Sequence, residues 1–119
     1  MALIKRFQCE IYECDIIFIT DCDPDTCKKI LEKEMHCQLP GWHNDNAAGF
    51  TEMYEHPQTF VLYVKKKGKL DDLVHEIVHL SSYIFQEKEI PYTEDNEPFA
   101  YLASYLFKTM RSRKGFNEI

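Results

Sequence analysis

No stretch of this sequence approaches the roughly 18 unbroken apolar residues of a membrane-crossing helix, so no span is expected. The N-terminal "MALIKRFQCEIYECDIIFIT" contains apolar residues, but Glu10, Glu13 and Asp15 interrupt it. No signal-peptide core with a small-residue cleavage site follows, and the cytoplasm is the expected location. Glycine (4) and proline (5) are scarce, and there are no repeats or low-complexity segments, which excludes fibrous and linker-like classes. Positive charge is also short: 14 Lys and Arg against 20 Asp and Glu leave a net charge of −6. That balance argues against nucleic acid as the main partner, because phosphate binding needs a basic surface. The two basic clusters, "KKKGK" from Lys65 and "RSRK" from Arg111, read as a solvated turn and a tail. Of five cysteines (Cys9, Cys14, Cys22, Cys27 and Cys37), none has C-x-x-C spacing, and free, mostly buried thiols are the expectation.

What is present is a composition able to build a core: 45% apolar residues in 119, enough for one domain over 1–119. Residues Glu10–Thr20, "EIYECDIIFIT", are β-branched and aromatic and predict a first strand. A helix follows, capped by Asp23 with Pro24 at its first position and Cys27, Ile30, Leu31 and Met35 as its apolar stripe. "QLPGWHNDNAAG" predicts a loop. Strands are expected at about Gly49–Tyr54, as an edge, and at Thr59–Lys65, more central, joined through His56-Pro57. Leu70, Leu73, Val74, Ile77, Leu80 and Ile84 then recur at helical spacing until Ile90-Pro91. A last helix begins near "EDNEP", capped by Asp95 or Asn96, and runs to about Arg111. Ala100, Tyr101, Ser104 and Tyr105, or neighbouring Leu102 and Leu106, are its expected buried stripe. The expected order is β-α-β-β-α-α, an α+β layout with a small, mostly antiparallel sheet packed on the long helix.

That long helix carries "LVHEIVHLSS". His75 and His79 stand one turn apart, so their imidazoles share a face and can converge on one ion. Zinc takes neutral imidazole nitrogen at about 2.0–2.1 Å. Glu76 lies about 100° around the helix from His75, beside the ligand face, where it can reach metal-bound water without being a ligand. The competing reading is an amphipathic helix that happens to carry two packed histidines. A catalytic zinc also needs a third protein ligand, and Glu97 is the candidate, with 17 residues separating it from His79. Ala100, on Glu97's face of the helix, is small enough to let the two helices approach closely. Glu97 could instead simply complement the helix dipole, and Glu94 or Asp95 could serve in its place.

"HEIVH" followed by "NEPFAYLASYL" resembles a compact zincin metallopeptidase of the glutamate-ligand type, the gluzincins. The chain is also similar to very small single-domain zincin-like proteins of bacteriophages, with their preceding β-hairpin and E-x-x-A-Y-L helix. The resemblance spans about Phe50–Phe107. It implies zinc as cofactor on His75, His79 and Glu97, Glu76 as general base, and, for a phage protein, the host cytoplasm. The expected function is zinc-dependent hydrolysis of a peptide or amide bond in a peptide or protein substrate. The alternative is a non-catalytic zincin-fold binding or regulatory protein, such as a phage accessory protein. Tyr101, Tyr83, Tyr54 and His43 are candidate donors to a developing oxyanion. The edge strand "GFTEMY" could pair with an extended peptide. His36, His43 and His56 read as surface residues.

Overall fold

The computed structural model describes residues 2–36, 49–55, 58–65, 68–92, 94 and 96–114. Seven elements follow one another: β1 (Leu3–Cys9), β2 (Cys14–Thr20), α1 (Pro24–Met35), β3 (Gly49–Glu55), β4 (Gln58–Val64), α2 (Leu70–Glu87) and α3 (Glu97–Lys114). The expected α+β class holds, but the order is β-β-α-β-β-α-α. Strand β1 precedes everything anticipated, and residues 10–13 form a turn, so the first predicted strand starts at Cys14 instead of Glu10. The turn contains no glycine, proline or asparagine. Glu13 itself takes the positive φ of 47° that closes it.

The sheet order is β1-β2-β4-β3. β1 pairs antiparallel with β2, and β3 antiparallel with β4. The two hairpins join through parallel β2 and β4, with Asp15 opposite Thr59 and Thr20 opposite Val64, so the sheet is mixed. The two central strands are covered on both faces, which is why "IIFI" and "FVLYV" are continuous apolar runs. β3 is an edge strand and β4 central, as their patterns indicate.

One face of the sheet packs on α1 through Ile17, Ile19, Val61 and Tyr63 against Cys27, Leu31 and Met35. Asp23 caps α1, accepting a 2.8 Å hydrogen bond from the Thr26 N–H at Oδ1, with Pro24 following as expected. The other face packs on α2 and α3 through Ile16, Phe18, Phe60, Leu62 and Val64 against Leu73, Ile77, Leu80, Ile84, Leu102, Leu106 and Met110. Burying one such leucine or phenylalanine contributes about 1.5–3 kcal/mol, which fixes the phase of both helices. In α2 the phase departs from expectation at Val74, which is 43% exposed. In α3 the buried stripe runs through Leu102, Leu106 and Met110. Ala100, Tyr101 and Ser104 face outward, Tyr101 with 68% of its surface exposed. No helix among the described residues is long and apolar enough to cross a membrane.

Candidate metal centre

Helix α2 divides its surface among several surroundings. Leu73, Ile77, Leu80 and Ile84 enter the core, and Ser81, also buried, returns its hydroxyl to the Ile77 carbonyl at 2.8 Å. Val74 and Val78 lie toward α3, where with Ile77, Ala103, Ser104 and Phe107 they line an apolar groove of about 270 Å³. Glu76 points toward β3. His75 and His79, half a turn from the core stripe, are exposed.

The two histidines converge. Their Nε2 atoms are 3.2 Å apart, and the rings stand edge to face with centroids 4.8 Å apart. Two nitrogens each about 2.0–2.1 Å from one tetrahedral ion lie roughly 3.3–3.4 Å from each other. The 3.2 Å contact is a direct hydrogen bond between the two rings and is also close to the separation of two imidazole ligands on one zinc ion, a donor type that suits that metal. Tyr83 stacks on His79 with centroids 6.4 Å apart and an interplanar angle of 27°.

Glu76 is 7% exposed despite standing between a solvent-facing and a core-facing residue. Strand β3 covers it. The Thr51 hydroxyl lies 2.9 Å from Glu76 Oε1 and 3.1 Å from the Glu76 carbonyl oxygen, and gives its one proton to one of them. Two residues earlier, a Cβ on Gly49 would collide with the Tyr63 carbonyl oxygen and stand 3.2 Å from Glu76 Cγ. The missing side chain at 49 is thus what lets the carboxylate arm lie against the strand. Neither Gly49 nor Thr51 was singled out from sequence. The available signal was the alternation of β3, which places 49, 51 and 53 on the α2 face and Phe50 and Tyr54 on the α1 face.

Glu97 is the first residue of α3, on the outward face it shares with Ala100 and Tyr101. The neighbouring Phe99 packs on Phe85 at 5.3 Å, six residues beyond His79. Ala100 therefore does not mediate a close approach of the two helices. Among the described residues no three His, Cys, Asp or Glu side chains converge on one point, so Glu97 is not gathered to the histidine pair. Glu94, an alternative ligand, is exposed in the connection before α3, and Asp95 lies outside the described residues.

Of the candidate oxyanion donors, Tyr83 is beside the histidines, Tyr101 faces away on α3, and Tyr54 belongs to the opposite face of the sheet. His43 and His56 lie outside the described residues, and His36 is exposed just after α1. No family model matches the chain, and no curated protein or solved structure matches it.

Proposed function

We propose that the chain is a zinc-dependent hydrolase of peptide or amide bonds, with His75 and His79 as metal ligands and Glu76 as general base; Glu97, which faces outward at the start of α3, would have to turn toward the pair to serve as the third ligand. The observation that carries this reading is the convergence of the two Nε2 atoms at 3.2 Å beside a glutamate anchored by a neighbouring strand. Bound there, zinc supplies Lewis acidity, which polarises a carbonyl and acidifies water. Glu76 would accept a proton from water at the site and return it to the leaving amine. With the Thr51 hydroxyl donated to Oε1, the other carboxylate oxygen is left to carry the proton. The edge position of β3 beside this glutamate suits an extended peptide laid along the strand. Tyr83, whose ring stacks on His79, is our candidate donor to the developing oxyanion.

Metal analysis of the native chain beside His79→Ala, Glu97→Ala and Glu76→Gln tests the reading. About one zinc per chain is expected. It should be lost with His79 or Glu97 and kept with Gln at 76, while peptide hydrolysis disappears in all three. A native chain that takes up no zinc on addition of the metal would sink the proposal. A zincin-fold binding module is the second reading, favoured by the outward placement of Glu97 on α3. Its mark would be a binding activity untouched by Glu76→Gln.

A further inference from the structure

Four of the cysteines form two contact pairs, one at each end of β2. Cys9 and Cys14 are directly opposite each other where the β1–β2 hairpin closes. Directly opposed residues of an antiparallel pair have Cα atoms about 4.5–5.5 Å apart, within the roughly 4.4–6.8 Å that a disulfide spans. Cys22 and Cys27 are built differently. Cys22 precedes the capping Asp23, and Cys27 is four residues beyond it, its N–H bonded to the Asp23 carbonyl at 3.0 Å. These are the two positions that pack together in a hydrophobic staple at a helix start. Here both staple residues carry sulfur. All four thiols are buried and reduced.

Within each pair the two side chains are near enough for one thiol to shift the other's ionisation. The Cys14 thiol donates to Cys9 and draws it down to about 6, against the opposing effect of burial. Cys27 donates to Cys22 and lowers it in the same way, while the two donors, Cys14 and Cys27, are raised. Each pair thus sets two buried thiols side by side, so that whichever sulfur ionises has a protonated partner beside it to resolve it.

We propose that Cys9/Cys14 and Cys22/Cys27 are two dithiol sites that a hydroperoxide converts to intrachain disulfides, each pair closing on itself. The ionised sulfur attacks the peroxide, forming an S–O bond as the O–O bond breaks and hydroxide leaves. The partner sulfur then attacks the sulfenic sulfur. An S–S bond forms, the S–O bond breaks, and the departing hydroxide takes the partner's proton as water. Two thiols and one hydrogen peroxide give one disulfide and two waters. Oxidation at 22–27 would convert the staple of α1 into a covalent one, and oxidation at 9–14 would lock the hairpin turn. Neither site involves the histidine pair on α2.

The test is disulfide mapping of the reduced native chain after brief treatment with hydrogen peroxide. Trypsin leaves all four cysteines in one peptide, Phe7–Lys28, so a second cleavage is required, before Asp15 to separate the pairs and before Asp23 to part Cys22 from Cys27. Linkages 9–14 and 22–27, each lighter by two hydrogens and reversed by dithiothreitol, are the expected result. Cys14→Ser should lose the first linkage and keep the second. Linkages between the pairs, sulfinic acid in place of disulfides, or thiols inert to peroxide in the folded chain yet oxidised in urea would each overturn the proposal. The native map decides the matter even where the serine variant fails to fold.

Discussion

Replacing Thr51 by valine removes one hydroxyl from a buried site and changes almost nothing in shape. The hydroxyl stands 2.9 Å from a carboxylate oxygen of Glu76, whose residue is 7% exposed. A hydrogen bond to a charged group contributes about 1.5–3 kcal/mol, and little solvent is available at this site to replace it. Thr51→Val should therefore lower unfolding free energy by that amount, read as a fall in urea midpoint at constant slope. The single variant does not identify the acceptor, because the Glu76 carbonyl is only 3.1 Å from the same hydroxyl. A double-mutant cycle with Glu76→Leu does, since leucine keeps the carbonyl and loses the carboxylate. A coupling of about 1.5–3 kcal/mol places the proton on the carboxylate and makes Thr51 the residue that holds the proposed base. Additivity within about 0.5 kcal/mol would refute this, leaving Thr51 as a partner of the backbone alone.

Gly49→Ala forces a methyl group against the Tyr63 carbonyl and the Glu76 side chain, and should cost about 1–3 kcal/mol in thermal or urea unfolding. Thr20 Oγ1 is buried with no hydrogen-bond partner among the described residues, so Thr20→Val should leave stability unchanged or raise it by about 1 kcal/mol. Tyr63 is the opposite case: its buried hydroxyl donates to the Cys22 carbonyl at 2.6 Å, and burial raises its pKa. The folded state holds that phenolic proton more tightly than the unfolded chain. Its contribution is therefore complete below the unfolded value near 10 and lost as pH rises beyond it, by about 1.4 kcal/mol per pH unit. Urea midpoints taken on either side of that pH should show the loss, and Tyr63→Phe should reduce its slope while costing about 1 kcal/mol at neutral pH.

Most of the frame was legible in residues with a single reading. Asp23-Pro24 could only begin a helix, and "FVLYV" between turn residues could only be a covered strand. "HEIVH" lay well inside a long periodic run, which set the histidines on one face. Strand β1 was not legible, because the turn after Cys9 is made by glutamate, isoleucine and tyrosine, and its positive φ falls on Glu13. In α3, apolar residues occur on nearly every side of "FAYLASYLF", so sequence left two phases about 100° apart. The choice was made by tertiary packing, where Phe99 meets Phe85 and Leu102 and Leu106 enter the core. That same choice turned Glu97 outward. Thr51 and Gly49 were invisible for another reason: their role exists only across the gap between β3 and α2, at a separation of about 25 residues.

The division of α2 among core, strand, neighbouring helix and solvent also governs how this chain can change length. One residue lost between Leu70 and His75 turns everything beyond it by about 100°, rolling the two histidines off the solvent face and bringing buried Glu76 and Leu80 out to replace them. Single substitutions at the half-exposed Val74 and Val78 disturb none of these assignments. Variation in length must therefore gather in the connections on either side of the helix, around Gly68 and after Glu87, while α2 itself can vary in composition but not in count.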